Sequence, residues 1–250
     1  MFASADSYDR FMGRYSVPLA RSFAGFAGVQ RGKRMLDVGC GTGVLTAELV
    51  GRLGAAAVCA VDPSEPLVAA TRSRHPDVDV RMGRAEQLPF DDHSFDGALA
   101  QLVVHFMEQP VTGLGEMTRV TGPGGVVAAC VWDFAGGHSP LATFWEAARE
   151  LEPAIDDESE RPGAGDGQLV ELLEAAGLMD VEQGILSIEV EHPSFDEWWQ
   201  PFTLGIGPAG AYLGGLDEEH RDELRERSRR RLATEPFVVS AKAWAARGRA

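Results

Sequence analysis

Apolar runs and helical periods alternate along the first half of the chain. Lys33–Val38 (KRMLDV) is a short apolar run that ends in glycines. Val44–Leu53 places Leu45, Leu49 and Leu53 four apart, on one face of a predicted helix. Ala56–Val61 reads as a buried strand closed by Asp62-Pro63. Ser64 is placed as an N-cap, with Pro66 in the first turn of a helix reaching about Arg74. Val78–Met82 and Phe95–Gln101 predict two more strands. Pro110–Val120 predicts a helix that stops at the turn signal Gly122-Pro123-Gly124-Gly125. Val126–Trp132 is apolar without alternation, as expected of a strand covered on both faces. Strands alternating with helices predict βαβ units and a parallel sheet.

After Trp132 the pattern loosens. Leu141–Leu151 is amphipathic, and an acidic loop containing proline and glycine follows. Within it, residues 154–167 look the least ordered of the chain. Gln168–Ala176 predicts a helix ending at Gly177, Val181–Val190 a strand and Pro236–Trp244 a last strand. Residues 195–233 hold an aromatic, glycine-rich lid and a charged helix. Within the lid, Trp198–Leu216 carries no charge for 19 residues, but five glycines and two prolines argue against a membrane span.

Composition narrows the function classes. The 250 residues suit one α/β domain with elaborations, and the net charge is −15. Residues 1–125 carry 12 basic and 14 acidic side chains, whereas residues 126–250 carry 11 and 24. Such a field disfavours nucleic acid and anionic lipid as partners. Arg225, Arg227, Arg229, Arg230 and Arg231 could form a phosphate patch. However, Asp222, Glu223 and Glu226 alternate with them, as on a solvated helix face. Cys40, Cys59 and Cys130 are widely spaced and odd in number, which fits a reducing cytoplasm. No secretory signal is visible at the N-terminus. The six histidines show no metal spacing, so no metal is expected.

Asp37-Val38-Gly39-Cys40-Gly41-Thr42-Gly43 lies between a predicted strand and helix. Glycines there let backbone approach a ligand closely, and the helix start offers free N–H groups. That geometry suits a nucleoside-type cofactor at the carboxyl edge of a sheet. The glycines run G-x-G-x-G, with Val44 where a dinucleotide fingerprint places its third glycine. A nicotinamide dehydrogenase is thereby disfavoured, and no nucleoside-triphosphate loop exists in the chain. Asp62, ending the second strand, can accept both hydroxyls of a ribose.

Asp37–Thr46 (DVGCGTGVLT), Val61–Ser64 (VDPS), Gly83–Phe90 (GRAEQLPF), Asp96 and Arg119–Val127 (RVTGPGGVV) carry a resemblance. Together they resemble class I S-adenosylmethionine-dependent methyltransferases of the ubiquinone/menaquinone-biosynthesis-like branch (methyltransferase type 11). Tyr8–Ser16 also resembles the N-terminal helix of parts of that family. The resemblance covers residues 33–132. With the element pattern, it implies a Rossmann-like, doubly wound, seven-stranded, mostly parallel α/β sheet with a helical lid over the C-terminal strand edge. The expected organisation is a single methyltransferase domain over residues 1–250. N-terminal lid helices would occupy 1–30 and the cofactor core 31–133. The rest of the core would occupy 134–250, with substrate-lid insertions at 134–165 and 195–233.

The family's roles carry over by position. Gly39, Gly41 and the Cys40 backbone would line the methionine part of S-adenosylmethionine, whose product is S-adenosylhomocysteine. Asp37, Gly43, Pro63 and Gln87 belong to the same motifs. Asp62 would hold the ribose, and Ala85 and Glu86 would sit beside the adenine. Gln101 would face the methyl group or the ammonium. Arg14 and Tyr15 would close over the cofactor, Arg14 near its carboxylate. Many relatives have Asp where Arg84 stands, and Arg84 cannot accept a hydrogen bond from the adenine amino group.

Methyl transfer from a sulfonium is an in-line displacement that needs orientation and a dry pocket. His105, four residues beyond the fourth strand, is the first candidate base, and His138 the second. Tyr8, Trp132, Trp198, Trp199, Phe202 and Tyr212 are candidates to bind a small, apolar or aromatic acceptor. The aromatics serve equally well as lid core. The competing readings are an RNA or protein methyltransferase, supported by the arginine-rich helix alone, and a non-catalytic cofactor-binding module. Oligomeric state is not readable from the sequence.

Overall fold

The computed structural model describes residues 9–232 and 234–250. Tyr8 lies outside them. The centre of the molecule is a seven-stranded sheet in the order β3-β2-β1-β4-β5-β7-β6. Strands β1 (Met35–Val38), β2 (Val58–Asp62), β3 (Asp79–Met82), β4 (Phe95–Gln101) and β5 (Thr121–Trp132) run parallel. Every residue of β1 and β2 is buried, as expected of strands covered by helices on both faces. The chain winds outward one way through β1, β2 and β3, then returns to add β4 beside β1. The switch leaves a crevice between the carboxyl ends of β1 and β4, where open α/β sheets bind ligands.

Helix α1 (Arg14–Phe26) precedes β1. Helices α2 (Val44–Leu53), α3 (Glu65–Arg74) and α4 (Pro110–Val120) connect the parallel strands and end within a residue of where leucine spacing, Pro66 and Pro110 predict. Helices α5 (Ala142–Leu151) and α6 (Gln168–Ala175) follow β5. Strands β6 (Met179–His192) and β7 (Phe237–Arg249) close the sheet as an antiparallel pair, with β7 between β5 and β6. Helices α7 (Phe195–Trp199), α8 (Gly207–Gly215) and α9 (Glu218–Arg231) lie between β6 and β7 and form the lid.

Three differences from the sequence pattern have physical causes. The Gly122–Gly125 turn is an excursion inside β5: Phe95 pairs with Thr121 and Gly97 next pairs with Val126. Gly124 (φ 75°) donates its N–H to the Ala250 carbonyl, so the chain end fills that excursion. β7 runs five residues past Trp244: its backbone stays paired with β5 and β6 as far as Arg249, and Arg247, whose charge ends the apolar pattern, pairs with Glu182 on β6. Residues 154–167 are not loose. Ala164 is fully buried, Asp157 pairs with Arg149, and the Trp145 indole N–H donates to Glu158 Oε2 at 3.1 Å.

The arginines of α9 are paired with carboxylates at the protein surface. Arg227 and Arg231 pair with Glu150 on α5, Arg225 and Arg229 with Asp196 on α7, and Arg230 with Glu226. Arg229 also stands 4.3 Å over the Phe195 ring. Arg227 and Arg231 thereby tie α9 to α5, and Arg225 and Arg229 tie it to α7.

Candidate active site

The glycine loop sets the site. Gly39, Gly41 and Gly43 all have φ between 55° and 87°, a region that costs other residues strain. At Gly39 a Cβ would stand 2.5 Å from Val103 Cγ2, so the loop needs glycine for packing as well as conformation. The Gly39 and Cys40 amides both donate to the Val61 carbonyl, at 2.8 and 3.0 Å, which ties the loop to the end of β2. Asp62 completes the tie. Its Oδ2 accepts from the Gly41 N–H and its Oδ1 from the Ser64 N–H, both at 2.9 Å. Burial raises its carboxyl above the ordinary range, although both amide bonds oppose this. Each oxygen keeps a further lone pair.

A cradle opens against this loop, walled by Ser16, Asp37, Gly39, Gly41, Gln101 and Leu102. Three of its polar groups are short of partners. Ser16 Oγ and Gln101 Oε1 are buried with no hydrogen bond, while the Gln101 Nε2 group donates to the Ser16 carbonyl at 3.1 Å. Asp37 is 1% exposed and takes one bond from Thr46 Oγ1 at 2.6 Å. Burial pushes its carboxyl up to about 7, and nearby Asp62 adds to the rise. A buried acceptor set of this kind fits an ammonium donor, which would satisfy the orphaned oxygens together.

Past Gly39 the cradle continues into a cleft walled by Pro63, Arg84, Ala85, Glu86, Phe106 and Met107. Glu86 lines it, but its Oε1 accepts from the Glu108 and Gln109 amides before α4, at 2.9 and 3.4 Å. Arg84 sits at the rim, paired with Glu108 at 2.8 Å and with Glu86 at 3.7 Å. Gln87 is exposed in a tight turn, bridged to Arg84, and does not line the cleft. Gly43 likewise turns the chain into α2 instead of walling the cradle.

On the other side of Leu102 lies a third, small apolar cavity, open at its mouth. Its walls include Phe11, Phe106, Trp132, Phe134, His105 and Glu158. Leu102 faces both this cavity and the cradle. Its φ of +59° is strained backbone for a branched side chain, held by the bond from its N–H to the Cys130 carbonyl at 2.8 Å.

The structure brings His105 into this cavity and leaves His138 out. His105 is 4% exposed, its Nδ1 has no partner, and burial pulls its pKa down to about 3. It is therefore a neutral imidazole at physiological pH. His138 is half exposed, with Nδ1 held 2.6 Å from the buried Asp133 carboxylate. It lines none of the three cavities.

Arg14 and Tyr15 do not wall the cradle. Arg14 pairs with Glu197 and bonds His192 Nδ1 at 2.9 Å. Tyr15 bonds His192 Nε2 at 2.8 Å, and burial raises its hydroxyl far above the ordinary value. Because Nδ1 of His192 accepts from Arg14, its Nε2 carries the proton and donates to Tyr15. The group locks α1 to β6 and the lid. Asp9, just upstream, covers the glycine loop instead: its carboxylate accepts from Thr42 Oγ1 and from Arg74, both at 2.5 Å.

The lid aromatics divide in the same way. Trp132 lines the apolar cavity, and Trp198 and Phe202 line a smaller one beside Tyr15. Trp199 stacks near Phe195, and Tyr212 packs on Phe144 and Trp145, so both belong to the lid's own core. Sequence reasoning missed Ser16, Phe11 and Glu158. Ser16 lay at the end of the quoted Tyr8–Ser16 segment, whereas Glu158 sat in the stretch that looked least ordered.

Residues 36–129 match the family described as a methyltransferase domain. An uncharacterized methyltransferase of Mycobacterium tuberculosis is 38% identical over 101 residues, 40% of each chain. The demethylmenaquinone methyltransferase of Renibacterium salmoninarum is 39% identical over 132 residues, 53% of this chain and 55% of that one. The matches thus span about two-fifths to half of these relatives' lengths. Among solved structures, an S-adenosylmethionine-dependent methyltransferase of Thermotoga maritima, described as a possible histamine N-methyltransferase, shares the fold. Its TM-score is 0.59 at 20% identity, over 98% of this chain and 94% of that one.

Proposed function

We propose that this chain, whose residues 36–129 match a methyltransferase-domain family, transfers a methyl group from S-adenosylmethionine to a small, largely apolar acceptor. The observation that carries the reading is the cradle. Gly39 and Gly41 bring backbone to the ligand, Ser16 and Gln101 hold buried oxygens without partners, and the buried Asp37 carboxyl stands with them where the methionine ammonium would lie. Asp62 would offer its remaining lone pairs to the ribose hydroxyls, and Ala85 and Pro63 would flank the adenine in the cleft beyond. When bound, S-adenosylmethionine supplies a sulfonium-activated methyl group.

The chain's own part is to orient the acceptor and exclude water. Leu102 lines both cradle and apolar cavity, so the two lie side by side, and an acceptor in the cavity would reach the methyl past the Leu102 side chain. His105, neutral and unpartnered at Nδ1, can receive a hydrogen bond from the acceptor, while its burial makes it a weak base. A small apolar acceptor accords with the name of the Renibacterium relative and with the apolar walls. Arginines already paired within the protein favour it over RNA. A cytoplasmic location belongs to the same reading, with three buried free cysteines among the described residues.

Calorimetric titration with S-adenosylhomocysteine, with NAD as control, tests the proposal. Micromolar binding of the first alone is expected. No binding of S-adenosylhomocysteine at millimolar concentration overturns it.

A further inference from the structure

The apolar cavity holds one acidic group that none of the roles above use. Glu158 stands on a short 3-10 turn, Glu158–Glu160, and is 3% exposed. Its Oε2 accepts the Trp145 indole N–H at 3.1 Å, which fixes the carboxyl in place. Its neighbours along the wall are aromatic and apolar. Burial pushes the carboxyl up to about 7, with the Trp145 bond and Arg161 opposing. Burying a carboxyl in such surroundings is costly unless hydrogen bonds compensate, and one indole bond leaves most of its acceptor capacity open. Two more wall residues carry buried polar atoms without partners, His105 Nδ1 and Trp132 Nε1. A purely hydrocarbon ligand would leave all of these unsatisfied.

We infer that Glu158 determines which acceptor is bound, by receiving the hydrogen bond of a protic group, a ring hydroxyl or ring amine, on an otherwise apolar aromatic molecule. The inference rests on the acceptor pocket assigned above. Aromatic walls select a flat ring, and the carboxyl selects the donor on it. The Trp132 N–H provides a donor for a hydroxyl oxygen, so a hydroxyl can use both partners where an ammonium can use only Glu158. Selection of this type is steep, because a ligand lacking the donor leaves the buried carboxyl unpaired.

The test compares 4-methylphenol, 4-methylaniline and 4-methylanisole, which share shape and differ in the donor. Each is titrated into the protein saturated with S-adenosylhomocysteine, followed by tryptophan fluorescence. The unmodified protein is expected to prefer 4-methylphenol over 4-methylanisole by roughly tenfold or more. Glu158→Gln, which keeps an acceptor oxygen, retains part of the preference, and Glu158→Leu loses it. A stronger response to 4-methylaniline than to 4-methylphenol assigns the donor as an amine. Equal binding of phenol and anisole, a preference that survives in Glu158→Leu, or no binding of any probe at millimolar concentration overturns the inference. Melting temperature and S-adenosylhomocysteine affinity of each variant show that the fold persists. If S-adenosylhomocysteine itself fails to bind, the methyl-transfer reading fails, and the probe comparison without it still decides the role of Glu158.

Discussion

The cradle and the apolar cavity meet at Leu102 but are built on opposite principles. The cradle takes most of its walls from two short stretches at strand ends, residues 37–45 and 101–102, with Ser16 added from α1. Its loop is backbone shaped by glycines with positive φ, to which the side chains of Ser16, Asp37 and Gln101 are added. The cavity draws on Phe11, the turn after β4, the end of β5, Glu158 and the residues that open α8. What it offers is side chains. A site made of backbone tolerates little change in conformation, whereas a side-chain site can change its ligand by single substitutions.

That contrast can be broken most severely at Gly39. Gly39→Ala puts a methyl 2.5 Å from Val103 Cγ2 at φ +70°. It is expected to destabilise the fold by roughly 1–3 kcal/mol and to abolish S-adenosylhomocysteine binding. Calorimetry after thermal melting checks both, and wild-type affinity would dissolve the distinction between the two sites. Asp62→Ala should weaken the same ligand by roughly tenfold or more, since a charged acceptor's bonds are worth about 1.5–3 kcal/mol each. Part of that loss would come through Gly41, whose amide Asp62 holds.

On the cavity side, His105→Gln should lower turnover while leaving S-adenosylhomocysteine affinity nearly unchanged. Its stability profile sharpens the point. His105 binds its proton only near pH 3 when folded, against an ordinary value near 6.5. The unfolded chain therefore holds more protons between those values, and its folding stability is full above pH 6.5 and falls as pH drops. The variant should lose this slope, visible as the difference between the two denaturation curves from pH 6 to pH 4. Parallel curves would return His105 to a solvated role. The smallest effects belong outside both sites. His138→Ala should leave turnover within about twofold, because its ring is anchored away from the cavities by Asp133. Arg227→Ala should leave the melting temperature nearly unchanged, since its pairs with Glu150 and Glu223 lie at the surface.

The legibility of the two sites follows their construction. Strand, glycine turn and helix from Met35 to Leu53 are local, so residue type and period carry them. Asp62 was legible as the residue that closes β2 beside the glycine loop, because strand ends and helix starts leave signals within a few residues. Arg14 and Tyr15 were misplaced for the converse reason. Nothing near them in sequence announces Glu197 or His192, nearly 180 residues away, yet those partners hold them. Glu158 was hidden by its neighbours Asp156, Asp157 and Glu160, which read as solvated charge. Only the packing of Trp145 and Ala164 buries that stretch.

From sequence alone came the parallel half of the sheet, the crevice loop and the family resemblance, because each depends on residues close along the chain. The tertiary structure alone decided which polar atoms are left without partners. Satisfaction is a property of everything that surrounds an atom, and at Ser16, Gln101, His105 and Trp132 those surroundings come from distant segments. It also decided which aromatics wall a cavity and which fill the lid. Trp132, Trp199 and Tyr212 are alike in type and differ only in what packs against them.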